Sequence, residues 1–213
     1  MPEIVQLTAY HLGELSGPAQ EAARQWYRRT GLQYDWWEST FEDFEGICET
    51  LGVSLRARNN AGRGPAPKNI FFSGFSSQGD GASFEGSYAY KPGAHHLIRH
   101  HAPQDVELHQ IADVLKDIQR RNFYRVGAII NHSGRYYHEY CMAIAVDTDC
   151  SPRAECASQT EEAVIEALRD LARWLYRRLE SEYDYLFSDV SVGEAIRADG
   201  HVFTAAGRPL LMN

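Results

Sequence analysis

Four histidines crowd one short stretch, His95, His96, His100 and His101. His96 and His100 are four residues apart, so on a helix they share a face, which is the spacing two imidazoles need to reach one metal ion. No carboxylate accompanies them as in a His-Glu-x-x-His element, and no metal site is assigned. A second concentration of polar groups is Ser76-Ser77-Gln78-Gly79-Asp80-Gly81, whose backbone N–H groups suit an anion. It lacks the lysine of a phosphate-binding loop, so no nucleotide or other cofactor is expected. Asp80 and Glu85 are candidate paired carboxylates. His138, Glu139 and Cys141 lie close together further on. On one strand, His138 faces opposite to both Glu139 and Cys141, which excludes a Cys–His nucleophile within that strand. No Gly-x-Ser-x-Gly element is present.

The remaining constellation is suited to binding rather than catalysis. Trp36 and Trp37 precede a segment carrying Glu38, Glu42, Asp43, Glu45 and Glu49, with no basic residue from Asp35 to Leu51. One tryptophan of such a pair faces the core and leaves its neighbour toward solvent, where aromatic anchors carry much of the energy of an interface. Packing of both against a neighbouring loop is the competing reading.

These groups have to be positioned by a chain of 213 residues, with 44% hydrophobic and 23% charged residues. That is ordinary globular composition, and the length fits a single domain with a sizeable core. The net charge of −8 disfavours direct nucleic-acid binding, which rests on neutralising phosphates, and is compatible with a basic partner. No apolar run spans a bilayer and no signal peptide is visible at the start, so a cytoplasmic, non-membrane protein is expected. Cys48, Cys141, Cys150 and Cys156 show no Cys-x-x-Cys spacing and read as buried or spectator thiols.

The elements follow from periodicity. Residues 3–10 alternate as a short strand. Ser16 and Pro18 open a helix to about Arg29. Asp35 and Glu38 form a capping-box pattern before Trp37, Phe41, Phe44, Cys48 and Leu51, which recur at helical spacing up to Gly52. Val53 to Arg58 alternates as a strand, and residues 59–68 read as a mobile loop open to proteolysis after Arg58 or Arg63. An aromatic hairpin covers about 70–90, with Gly79-Asp80-Gly81 at its tip. A helix runs from Pro103 to about Arg121. A second hairpin covers about 124–146, its second arm running from Arg135 and placing Tyr136, His138, Tyr140, Met142, Ile144 and Val146 on one face. A polar link over 147–156 leads to the longest helix, capped by Ser158 and running to about Tyr185. A short helix from Ser191 to Gly200 and a small hairpin around Val202–Thr204 and Gly207–Pro209 end the chain. Runs of strands and helices, rather than strict alternation, indicate an α+β fold in which an antiparallel sheet of two hairpins packs against several helices.

Several of these segments together resemble an uncharacterised family of phage and prophage proteins, some labelled antitoxins of toxin–antitoxin systems. The segments are Glu14-Leu15-Ser16 with Ala19, Ala23 and Trp26-Tyr27; Tyr34 to Glu38; Phe72 to Gly86; Tyr137 to Met142; and Phe203-Thr204 with Gly207-Arg208. The resemblance brings no catalytic residues. It implies a phage or prophage accessory protein that binds and modulates a host protein, from defence or nucleic-acid metabolism, without catalysis. On that expectation the partner is a host protein with a basic surface. It would be met by Trp36, Trp37, Glu38, Glu42, Asp43, Glu45 and Glu49, and by Ser76, Ser77, Gln78 and Asp80. The alternative is a metal- or nucleotide-dependent hydrolase with a cleft near Asp80, Glu85 and His138.

Overall fold

A computed structural model describes residues 7–31, 34–58, 66–148 and 154–210. In chain order its elements are α1 (Gly17–Thr30), α2 (Glu38–Leu51), β1 (Val53–Leu55), β2 (Ile70–Phe72), β3 (Ala82–Phe84), β4 (Gly86–Ala89), α3 (Ala94–His101), α4 (Val106–Arg121), β5 (Val126–His132), β6 (Met142–Thr148), α5 (Ala154–Phe187), α6 (Asp189–Ala198), β7 (Val202–Phe203) and β8 (Pro209–Leu210). Every strand pairing is antiparallel, so the fold is α+β as its sequence pattern indicates. The described residues form two compact units. One comprises those up to Trp37 and from Ser181 onward, the other Glu38–Glu180.

The smaller unit is built on α1 and α6. Leu12, Leu15, Ala19, Ala23 and Tyr27 meet Val192, Ile196 and Phe203 in its core. Tyr10 and Phe203 exchange backbone hydrogen bonds of 2.8 and 2.9 Å. Residues 3–6 of the expected first strand lie outside the described residues. Ser16 stands at the N-cap of α1 as expected, but its side chain makes no cap bond there. The buried Tyr27 hydroxyl donates to Asp199 Oδ2 at 2.9 Å. Burial first and then this carboxylate push the phenol up to about 12.

The larger unit holds a four-stranded sheet in the order β1-β4-β5-β6, with β2 and β3 as a separate two-stranded ladder. The first hairpin therefore changes partners along its second arm. Phe84 pairs with Ile70, and two residues later Gly86 pairs with both Leu55 and Ile130. Only glycine fits that crossing, because a Cβ on Gly86 would stand 2.3 Å from the Ser54 carbonyl oxygen. The helices cover these strands with buried stripes, which for α2 add Ile47 to the expected residues and leave the expected Trp37 and Phe41 half-buried. The stripes are Phe44, Ile47, Cys48 and Leu51 on α2, Leu108, Ile111, Ala112, Leu115 and Ile118 on α4, and Val164, Leu168, Leu171, Leu175 and Leu179 on α5. Phe44 is fully buried between Phe84, edge-on at 5.4 Å, and Trp174, stacked at 6.3 Å. Its truncation to alanine is expected to remove about 3–5 kcal/mol.

Two polar residues tie helices to neighbours. Asp105 caps α4 by accepting from the Leu108 amide, and its other oxygen accepts from Trp174 Nε1 at 2.8 Å. Gln119 is wholly buried. Its amide nitrogen donates to the Val126 carbonyl at 2.6 Å and its oxygen accepts from the Val126 N–H at 3.2 Å, fixing where β5 begins.

Several expected boundaries shift: α4 starts at Val106 rather than Pro103, and α6 at Asp189 rather than Ser191. Helix α2 starts at Glu38, so the Asp35–Glu38 capping box does not open it. Ser158 lies inside α5, which starts at Ala154. The second arm of the second hairpin begins at Met142, not Arg135. The β5–β6 ladder closes on His132 and Met142, and the chain before Met142 forms a 3-10 turn at Glu139–Cys141. Of the expected mobile loop, residues 59–65 lie outside the described residues. Pro67 and Lys68 pair with Arg58 and Ala57. The link over 147–156 is likewise outside them for residues 149–153.

Candidate functional site

Helix α2 turns Phe44, Ile47, Cys48 and Leu51 inward, which puts Glu38, Glu42, Glu45 and Glu49 on the other side at spacings of four, three and four residues. Glu38, Glu42 and Glu49 are exposed and Glu45 is half-buried. Among the described residues none of the four enters an ion pair. Elsewhere Glu107, Asp113, Glu166, Asp170 and Asp189 each meet an arginine. Asp43, on the same helix, differs from the four, because its Oδ1 lies 2.8 Å from His101 Nε2. The Cys48 thiol on the inner face is pushed well up by burial and then by the Glu45 carboxylate.

Beside the acidic stripe runs an open groove of about 580 Å³. Glu45, Gly46 and Glu49 line one part of it, β1 forms another, and Lys68, Tyr90 and Lys91 complete it. Lys91 Nζ donates to the Glu49 carbonyl at 2.8 Å, closing the C-terminal end of α2. Strand β1 is the outer strand of its sheet. The groove, Gly46 and this edge are what sequence reasoning missed. The signal for Gly46 was there, since a glycine inside a helical pattern is unfavourable by about 1 kcal/mol relative to alanine.

The two tryptophans belong to the smaller unit, and both are half-buried. Their rings meet edge-on at 5.7 Å, and Trp36 also lies 5.7 Å from Tyr183, which stacks on Phe187 at 4.1 Å. Mutual packing thus replaces the expected division into one inward and one outward ring.

The hairpin tip exposes Ser76, Ser77 and Gln78. Asp80 instead folds back into its own loop, accepting from the amides of Ser76 and Ser77 at 3.0 and 2.7 Å. The Ser77 amide is the main reason its carboxyl is held below the usual value. Gly79 and Gly81 press the tip against the segment 136–138. A Cβ on Gly81 would stand 2.5 Å from His138 Cα.

The residues of the hydrolase alternative are each engaged separately. Glu85 accepts from the His132 amide at 3.0 Å and from Asn69 Nδ2 at 2.5 Å, and pairs with Arg56. Burial alone would raise its carboxyl, but these three donors outweigh it and leave it lowered. His138 caps the 3-10 turn, its Nδ1 accepting from the Tyr140 amide at 3.2 Å. That turn also reverses the expected separation from Cys141, whose Sγ lies 3.6 Å from His138 Nε2. Among the described residues no hydrogen bond or ion pair joins Asp80, Glu85 and His138. In the same residues, no three His, Cys, Asp or Glu side chains are placed to hold a metal ion. His95 and His96 lie ring to ring at 3.9 Å, and His101 is turned to Asp43. Cys48 and Cys141 are buried free thiols; Cys150 and the side chain of Cys156 are outside the described residues. Among those residues no helix is long and apolar enough to cross a membrane.

No curated protein and no solved structure matches the chain. Residues 36–189, which include all of the larger unit with its acidic helix, groove and hairpin tip, match a family described as a domain of unknown function, DUF8835, and the chain belongs to that family.

Proposed function

We propose that this is a non-catalytic binding protein whose acidic face on α2 docks a basic surface of a partner protein. The carrying observation is the stripe Glu38, Glu42, Glu45 and Glu49, left without ion pairs on a helix with no basic residue. Like charges at such spacings destabilise a helix by roughly 0.2–0.5 kcal/mol per pair, so the stripe works against the free protein and a cation that meets it offsets that cost. Opposite charge would speed association and select against acidic partners. The exposed tip Ser76-Ser77-Gln78 supports a second, polar contact, while Asp43 and Asp80 are occupied within the chain and would contribute by shaping it.

The phage-family resemblance extends this reading to a cytoplasmic phage or prophage accessory protein that modulates a host protein of defence or nucleic-acid metabolism. The hydrolase alternative has less in its favour, because Asp80, Glu85 and His138 are each satisfied by separate partners. Capture from bacterial host lysate tests the proposal. Wild-type protein should retain a stoichiometric partner, and Glu42→Lys with Glu49→Lys should lose it while circular dichroism stays unchanged. A partner retained equally by both proteins would overturn it.

A further inference from the structure

The end of α4 and the turn to β5 carry Arg120, Arg121, Phe123, Tyr124 and Arg125, all exposed. From Ile118 to His138 the chain holds four arginines and no carboxylate, although its net charge is −8. Among the described residues the guanidinium groups of Arg120, Arg121 and Arg125 enter no ion pair and no hydrogen bond. Asp117, the nearest carboxylate before the turn, and Asp147, opposite Gly127 on β6, pair with none of them.

Phe123 is a second, independent sign. It and Tyr124 are the two described residues other than glycine with positive φ, 54° and 62°. Left-handed backbone is unfavourable for a bulky side chain, and glycine is the usual residue just past a helix end. The turn is nonetheless firmly held. The Tyr124 amide donates to the Gln119 carbonyl at 2.7 Å, and the buried Gln119 side chain fixes Val126 on the other side. Packing within the chain does not offset the strain at Phe123, which is 77% exposed. Tyr124 is exposed too, and its ring lies 4.6 Å from that of half-buried Tyr90. A rigid turn thus holds flat rings and unpaired guanidinium groups toward solvent.

We propose that this turn binds single-stranded nucleic acid, with bases stacking on Phe123 and on the Tyr90–Tyr124 pair while Arg120, Arg121 and Arg125 meet phosphates. A strand that alternates flat bases with phosphates offers a counterpart to both kinds of group. An acidic peptide pairs the arginines but supplies no flat partner for the rings, and an anionic bilayer takes lysine as readily as arginine. The whole-chain charge repels a polyanion at long range and these arginines attract it locally, so binding is strongest at low salt. The turn lies on different elements from the acidic stripe of α2 and stands or falls independently of it.

The test uses the full chain and fluorescein-labelled single-stranded RNA and DNA of about 12 mixed-sequence nucleotides, read by fluorescence anisotropy. Both should bind at low salt, and log affinity should fall with log salt at a slope of about −2, as three phosphates on a single strand require. Phe123→Gly should weaken binding by about tenfold while the thermal midpoint stays unchanged or rises, because glycine relieves the left-handed strain. Arg121→Ala should also weaken binding and flatten the slope by about 0.7. No binding of either strand at low salt overturns the proposal. Binding that Phe123→Gly leaves unchanged overturns it, as does a lower midpoint in that variant, which would make Phe123 a packing residue. Tighter binding to a poly-glutamate peptide or to phosphatidylserine vesicles overturns it as well and gives the turn to an acidic protein or to a membrane.

Discussion

His138 Nε2 lies 3.6 Å from Cys141 Sγ, while His138 Nδ1 accepts the Tyr140 amide proton at 3.2 Å. The second contact decides the meaning of the first. With Nδ1 serving as acceptor, the neutral ring carries its proton on Nε2, so the nitrogen nearest the sulfur can donate to it but not take its proton. The pair is a turn-stabilising contact without an activated nucleophile. Cys141 is 8% exposed. Its alkylation by iodoacetamide in the native protein should be slower than after denaturation, and His138→Ala should speed it by loosening the turn. Native reaction faster than that of the unfolded chain would contradict this assignment.

Gly81 should tolerate no side chain. Its Cβ position is occupied by backbone and Cβ atoms of His138 at 2.5 and 2.6 Å, and neither is the far end of a flexible chain. Gly81→Ala is expected to destabilise by about 2–4 kcal/mol, from the strain of parting the hairpin tip from segment 136–138. Urea unfolding measures it. A loss below about 0.5 kcal/mol, the range of neutral surface changes, would show that the tip is not seated there.

Glu85 sets part of the acid sensitivity. Its carboxyl is lowered in the folded state from an ordinary value of 4.5, so the unfolded chain takes up the proton first. Its contribution is therefore complete above about pH 4.5 and is lost as pH falls through the lower folded value. Glu85→Gln should lower stability at pH 7 and flatten the fall in stability below pH 4.5, because glutamine has no proton to gain. Unfolding midpoints from pH 3 to 7 for both proteins check this. An acid limb of unchanged slope in the variant would assign that sensitivity to other groups.

The helices were legible because each buries one stripe: the periodic residues of α4 and α5 are buried, and of those expected for α2 so are Phe44, Cys48 and Leu51, while Trp37 and Phe41 are half-buried. The stretch Tyr136–Cys141 was not legible as a turn. Its alternating aromatic and polar residues imitate a strand, but Tyr136, Tyr137 and Tyr140 are exposed, so no buried face enforces extension. The switch of the first hairpin between two ladders was hidden for another reason. It depends on the close approach of Gly86 to the Ser54 carbonyl, a contact far from local in sequence. At the candidate site the glutamate stripe could be read directly. The edge of β1 could not, since strand order is a property of the assembled sheet.

The unpaired glutamates of α2 are the centre of this account, and one paired measurement addresses them. The affinity of the captured partner would be measured against salt for wild type and for Glu42→Lys with Glu49→Lys, alongside each protein's thermal midpoint. The account predicts a wild-type affinity that falls with salt, a loss of at least about tenfold in the variant, and an unchanged or higher midpoint once like-charge repulsion is relieved. A variant that binds as tightly as wild type, or a wild-type affinity indifferent to salt, would contradict it.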